Sequence, residues 1–243
     1  MVVRETFDIV FIIESLPKIL KALPVTLYFT GFALLFGWPL GLLAAWGKIS
    51  GPKWLKSLLT VGTDIIRGIP IVVLLYIVYF GLPNLASGIF GVNISRWPKP
   101  VFIVIALVIE LMTNASEMFR SAYTSIEKGQ LEAAHALGYT KWQRFIHVIF
   151  PQGVYVILPN LGSAVLSMVQ ATALVYTLGI FDILGKARQL DVNASRTQTF
   201  EMYFICALIY WALAVGITQI FKALERVFGK GFKTMATKKD VAA

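Results

Sequence analysis

Two sets of polar residues recur at helical spacing within otherwise apolar stretches. Glu110, Asn114, Glu117 and Ser121 follow at intervals of four, three and four, and Asn160, Ser163, Ser167 and Gln170 at three, four and three. Each set falls on one face of a helix. A carboxylate among apolar neighbours is costly to ionise unless water, a cation or a hydrogen-bond donor relieves it. Glu110 therefore suits either a cationic group or a mobile proton. A structural hydrogen bond between helices explains it equally well. Glu117 is the weaker candidate, because Arg120 stands three residues on and can neutralise it. The hydroxyls and amides of the second set serve as helix-packing contacts or, together with the first set, as the lining of one path.

Other reactive residue types offer less. His135 and His147 lack the Cys, Asp or Glu spacing of a metal or nucleophilic centre, so neither a metal site nor a catalytic residue is expected. Gly179 and Gly185 precede Lys186, but five residues separate them and Ala187 stands where a phosphate-binding loop needs Ser or Thr. The chain thus carries no nucleotide loop. Cys206 is the single cysteine and lies in an apolar run, which excludes a disulfide framework.

The elements that must position these residues are membrane helices. With 57% hydrophobic and 14% charged residues, the chain is too apolar for an ordinary soluble domain. A formal charge of +9 would suit nucleic acid if it formed a patch, but the basic residues are dispersed between apolar runs. Nucleic acid is therefore not an expected partner.

Residues 1–23 carry Arg4, Glu5, Asp8, Glu14, Lys18 and Lys21, so this segment cannot span and suits an external interfacial helix against lipid. Its acidic residues also argue against a secretory signal. Pro24 to Gly47 is uncharged and forms the first span, with a kink expected at Gly37-Trp38-Pro39. Lys48, Lys53 and Lys56 then mark a cytoplasmic loop. The second crossing runs from Leu58 to Phe80, broken at Gly68-Ile69-Pro70, with an Asp64–Arg67 ion pair near the interface. Gly81 to Lys99 reads as an external loop, and Pro100 opens the third span. Val148 to Phe181 exceeds one crossing, so a bend or re-entrant stretch is expected near Pro151 and Pro159. Asp182 to Glu201, balanced in sign, reads as an external loop. Met202 to Phe221 is the fifth span, and residues 222–243 form a basic cytoplasmic tail. Lys and Arg are in excess on the side of the tail, which sets the amino terminus outside. The expected fold is an all-α integral membrane protein with five transmembrane helices, its membrane domain covering residues 24–221.

Between the third and fourth spans lies GQLEAAHALGYTKWQRFIHVIFP, residues 129–151. Gln130 to Leu137 is a run of strong helix formers closed by Gly138, which can adopt the left-handed conformation that ends a helix. Ala133, Ala134 and Leu137 fall on one face, with Glu132 and His135 elsewhere. Two turns are too short to stand alone in water. The helix must dock, either on its own bundle or on a partner.

The spacing Glu132-Ala133-Ala134, three residues, Gly138, nine residues, Val148-Ile149-Phe150-Pro151 resembles the EAA loop of ATP-binding-cassette import permeases. Arg67-Gly68-Ile69-Pro70 is similar to the R-G-T-P element of the polar amino-acid permeases, with Ile for Thr. Ser125-Ile126 before Gly129-Gln130, and Tyr210-Trp211 in the last span, extend the likeness. The resemblance implies a coupling helix whose Glu132, Ala133, Ala134, Leu137 and Gly138 meet a separate ATPase subunit. That partner would use ATP and Mg²⁺, with no cofactor in this chain. It further implies a second permease, identical or related, an external amino-acid-binding protein, an amino-acid substrate and a bacterial inner membrane. The path would be lined by Glu110, Asn114, Glu117, Ser163, Ser167 and Gln170. One departure stands out: the family commonly reads K-D-T-S-L where this chain has Gln170-Ala171-Thr172-Ala173-Leu174. The alternative is a stand-alone, proton-coupled secondary transporter in which Glu110 and Glu117 titrate.

Overall fold

The computed structural model describes residues 8–194 and 198–240, with side chains as far as Phe228. Arg4, Glu5 and Arg196, and the side chains of Lys230, Lys233, Lys238 and Lys239, lie outside the described residues. Eleven α-helices appear among those described, and no strand. Five stretches are long and apolar enough to cross a membrane: Leu23–Ser50, Ile71–Phe90, Lys99–Thr124, Lys141–Leu178 and Thr199–Phe228.

Helix α1, Ile9–Leu20, starts where the Asp8 carboxylate accepts the Phe11 N–H at 2.9 Å, satisfying one of the free donors of the first turn. Helix α2, Leu23–Ser50, is the first span and continues through Pro39. Helix α3, Lys53–Arg67, ends at the expected break before Pro70. Helix α4, Ile71–Tyr76, passes through a π-helical turn at Ile77–Gly81 into α5, Leu82–Phe90, which Gly91 closes at a φ of +67°.

These boundaries correct the second crossing. It lies wholly beyond the Pro70 break, and the expected loop from Gly81 continues as helix to Phe90. Pro83 stands at the junction of the π turn with α5, where Asn84 Nδ2 donates to the Phe80 carbonyl at 3.0 Å. Helix α3 becomes a separate amphipathic element. Asp64 and Arg67 are both exposed and form no ion pair with each other. Each instead lies within electrostatic range of the later helix α6, Lys99–Thr124, Arg67 of Glu110 and Asp64 of Arg120.

Helix α6, Lys99–Thr124, carries the first polar set. Three short pieces follow: α7, Lys128–Ala136; α8, Lys141–Arg144; and a π-helical turn, Phe145–Ile149. Helix α9, Phe150–Ala171, runs on into 3₁₀ turns at Thr172–Leu178, ended by Gly179 at φ +81°. The overlong fourth apolar run thus remains helical. Its irregularity sits in the π turn before Pro151 and the 3₁₀ turns at the far end, whereas Pro159 lies within α9 without interrupting it.

The segment expected as a loop after Asp182 is also helical. Helix α10, Ile183–Asn193, is capped by the Asp182 carboxylate, which accepts the Gly185 N–H at 2.8 Å. Tyr210, in the last helix α11 (Thr199–Asp240), donates its hydroxyl to the same carboxylate at 3.0 Å. Complete burial pushes the Asp182 carboxyl above its usual value, against the opposing effect of these donors. Around this pair Ile19, Ile183, Ala187, Met202 and Ile205 form a compact apolar cluster that holds α1 and α10 on α11. Helix α11, Thr199–Asp240, carries helical backbone through most of the expected tail.

The main core lies where α2 crosses α6, around Phe29, Ala33, Phe102, Ala106, Leu107 and Leu111. Small residues set that crossing. A Cβ on Gly37 would come within 2.9 Å of the Leu111 side chain, and one on Gly41 within 2.6 Å of the Ala115 Cβ. Close backbone approach through small residues is how helices pack where burial from water supplies no drive. The outward faces carry large apolar residues such as Leu35, Leu43 and Trp46, which suits contact with lipid.

Candidate coupling segment and polar path

The segment after α6 forms a helix closed by a tight turn. At the end of α7 the Tyr139 N–H reaches the Ala134 carbonyl at 3.0 Å and the Gly138 N–H reaches the His135 carbonyl at 2.9 Å. This is the paired bonding that ends helices on a left-handed residue, and Gly138 has a φ of +82°. Thr140 and Gln143 then form a reciprocal cap at the start of α8, with bonds of 2.9 and 3.2 Å.

The three apolar residues expected on one face divide. Ala134 is buried against the chain, while Ala133 and Leu137 are exposed, Leu137 by 77%. Glu132 and Gly138 are exposed with them. Gln152 Nε2 donates to Gln130 Oε1 at 2.5 Å, so the front of α7 is tied directly to the first turn of α9. His147 Nδ1 lies 2.9 Å from the Gln143 carbonyl and serves the local backbone.

In the first polar set, Asn114 Nδ2 donates to Glu110 Oε1 at 2.9 Å and to the Glu110 carbonyl at 3.0 Å. Glu110 Oε2 is buried and has no hydrogen-bond partner among the described residues. A carboxylate with one oxygen anchored and the other unsatisfied is primed to accept a donor from outside. Glu117 is differently placed. Its Oε1 accepts Arg120 Nε at 2.7 Å as well as Arg120 Nη2, and its Oε2 accepts Lys48 Nζ at 3.2 Å.

The Lys48 contact corrects the reading of that residue as part of a cytoplasmic loop. Helix α2 extends past it, and its side chain is only 2% exposed. Lys48 Nζ also donates to Thr63 Oγ1 at 2.7 Å and Ser116 Oγ at 3.1 Å. Sequence reasoning missed this site because a basic residue after a long uncharged run is most often a topological marker. The available signal was its helical continuity with Gly47 and the presence of a carboxylate, Glu117, in another span.

In the second set, Asn160, Ser163, Ser167 and Gln170 all face outward from the chain. Ser163 Oγ turns back to the Pro159 carbonyl at 3.3 Å. The opposite side of α9 is closed off, since a Cβ on Gly162 would lie 2.9 Å from Phe221 Cγ in α11. No hydrogen bond joins the two polar sets among the described residues. Thr172, within the divergent five-residue run, is buried and donates to the Val169 carbonyl at 2.8 Å.

Residues 37–230 match the family described as binding-protein-dependent transport system inner membrane component. The L-cystine transport system permease protein TcyL of Bacillus subtilis is 31% identical over 98% of this chain and 98% of that protein. The arginine transport system permease protein ArtQ of the same organism is 32% identical over 88% of this chain and 94% of its own length. Among solved structures, an amino acid ABC transporter crystallised with histidines has a chain 31% identical, with a TM-score of 0.79 over 91% of this chain and 99% of its own. The inward-facing MetNI methionine ABC transporter, 18% identical with a TM-score of 0.63 over 91% and 99%, shares the fold. These likenesses run to subunits of ATP-driven importers and leave the stand-alone secondary transporter without support. The chain belongs to the binding-protein-dependent transport system inner membrane components: it is a multi-pass permease subunit of a bacterial ATP-binding-cassette importer, in which a partner subunit hydrolyses the ATP.

Proposed function

We propose that this chain forms the path of an amino-acid importer and that α7 is the surface through which the ATPase drives it. The observation that carries the reading is the exposed apolar pair Ala133 and Leu137 on a helix whose first turn both follows α6 and is tied to α9 through Gln130 and Gln152. Glu132 and Gly138 complete the docking face. An ATP- and Mg²⁺-dependent movement of the partner would tilt α7 and so displace both polar sets. Glu110 and Asn114 would meet the ammonium group on one wall, with Glu117 fixed behind them. Ser163, Ser167 and Gln170 would form another part of the lining. Because the polar face of α9 is exposed in the single chain, a second permease, identical or related, would complete the enclosure. Rocking of such bundles about a central site is the expected form of alternating access.

The proposed orientation has the amino terminus outside and α7 in the cytoplasm. Helix α1, with Ile9, Val10 and Ile13 exposed, would lie at the outer lipid interface, and an external binding protein would deliver the amino acid to that side. Its amino-acid class follows from the relatives. The divergent Gln170 to Leu174 run bears on which amino acid is carried.

The test is gentle-detergent purification from native membranes, followed by reconstitution with whatever copurifies and measurement of uptake from an amino-acid mixture. An ATPase, a second permease and ATP-dependent uptake are expected. Isolation of the chain alone, moving solute without ATP, would overturn the proposal.

A further inference from the structure

Lys48 stands outside the proposed docking face and lining, yet it sits at a junction of three helices. We propose that it is a positioning residue which makes α3 move with α6, and hence with the coupling segment. The inference rests on the reading that α7 receives the ATPase stroke.

The chemistry of the junction admits an ammonium and little else. Thr63 Oγ donates its proton to the Thr60 carbonyl at 3.0 Å, and Ser116 Oγ donates to the Thr113 carbonyl at 2.8 Å. Each hydroxyl therefore presents only lone pairs to its neighbour. Glu117 Oε2 presents another acceptor. Three acceptors converge on one point, from α3 and from two residues of α6, and the matching group has three donors and no acceptor. Lysine has that inventory, and its ammonium reaches all three at 2.7 to 3.2 Å.

The mechanical asymmetry makes the node matter. Helices α2 and α6 are already locked by the Gly37 and Gly41 contacts. Helix α3 is held less rigidly: Gly47 of α2 faces only the flexible end of the Leu59 side chain, whose Cδ1 lies 2.5 Å from where a Cβ would stand, and Thr63 is the one buried residue of α3. Its hydroxyl is thus the main polar attachment of α3 to the pair behind it. The far end of α3 carries Arg67, whose charge acts on Glu110, followed by the break before the second crossing. A displacement of α6 that leaves α3 behind would change the field at Glu110 without moving the second crossing. With Lys48 in place, the displacement reaches both.

The decisive variants are Thr63→Val, which removes the acceptor at nearly constant volume, and Thr63→Ser, which keeps it. Both are assayed as complete importer complexes in proteoliposomes, reading amino acid taken up per ATP hydrolysed. In parallel, spin labels on Ser57→Cys and Thr124→Cys, with buried Cys206 replaced by Ala, report the α3–α6 distance at rest and in the nucleotide-trapped state. Thr63→Val is expected to assemble normally but to lose about tenfold in uptake per ATP, in the range of other coupling losses. Its label distance should change between states, whereas wild type and Thr63→Ser keep a constant distance. A double variant, Lys48→Met with Glu117→Gln, removes the buried ammonium together with its carboxylate partner, leaving only the exposed Arg120 without its ion pair, and should show the same uncoupling. Wild-type stoichiometry in both Thr63→Val and the double variant would overturn the inference alone. Absence of ATP-driven uptake in the wild-type complex would overturn the importer reading and this inference with it.

Discussion

Substituting Gly138 separates the backbone requirement of the turn from the surface requirement of docking. A Cβ built on Gly138 meets nothing within 4 Å, so added bulk alone causes no collision. The φ of +82° remains, and forcing a side-chain-bearing residue into left-handed geometry costs about 1–2 kcal/mol. Against this, α7 is held by the burial of the Ala134 methyl, worth about 0.8 kcal/mol, and by the Gln130–Gln152 bond, worth about 1 kcal/mol. A β-branched side chain incurs the upper end of such strain, about 3 kcal/mol, which exceeds what holds the helix in place by roughly 1.2 kcal/mol. Gly138→Val should therefore open the turn in most molecules and lower ATP-driven uptake about tenfold, since 1.4 kcal/mol is one decade. Gly138→Asn should stay within about threefold of wild type, because asparagine enters left-handed geometry more readily. Gly138→Asp shares the shape of asparagine, so any further loss measures the charge placed on the docking surface. Uptake in proteoliposomes is compared with the thermal midpoint of the detergent-solubilised chain, which should not shift. If Asn and Val behave alike, or if activity follows side-chain volume, the left-handed requirement is refuted.

Other expectations are more direct. Glu110→Gln should reduce uptake while the ATPase still copurifies, because the unpartnered oxygen is lost or replaced without disturbing α7; unaltered uptake kinetics would assign Glu110 a structural role. Leu137→Asp should abolish ATPase copurification with little change in thermal stability, since the side chain is exposed; retained copurification would remove it from the interface. For Asp182, burial raises the carboxyl in the folded state, so the folded chain binds its proton more tightly than the unfolded chain and stability falls as pH rises past the ordinary carboxylate value. The Asp182→Asn variant should thus gain thermal stability relative to wild type as pH increases through that region; a constant difference would contradict the assignment.

Much of this was legible in the sequence because apolar length and charge placement are one-dimensional signals. The five crossings, the break before Pro70 and the turn at Gly138 all follow from local composition or local backbone preference. Lys48 was not legible, since its role depends on Thr63, Ser116 and Glu117 arriving from two other helices. The α10 helix was missed for a related reason: Asp182 looked like one member of a balanced charged loop, while tertiary burial with Tyr210 made it a cap. For Asp64 and Arg67 the sequence spacing was right for contact, but each carries its field to α6 instead. In α7, periodicity grouped Ala134 with Leu137 although only the former packs inward. At the polar sets, spacing identified shared faces but could not tell a face turned to a neighbour from one turned outward.

The π-helical turn at Phe145–Ile149 gives the fourth crossing a particular phase. A π turn accommodates one residue more than an α turn over the same arc, and one residue corresponds to about 100° of rotation about an α-helix axis. The compass bearing of Asn160, Ser163, Ser167 and Gln170 relative to the coupling segment is therefore set by a surplus residue upstream. Removing one residue there could be absorbed by reverting to ordinary α winding, leaving the polar face aimed as before. The same deletion further along α9 would swing part of that face toward the lipid. For this chain, insertions and deletions are thus graded less by how deep they lie than by whether they fall on the turn that keeps the count.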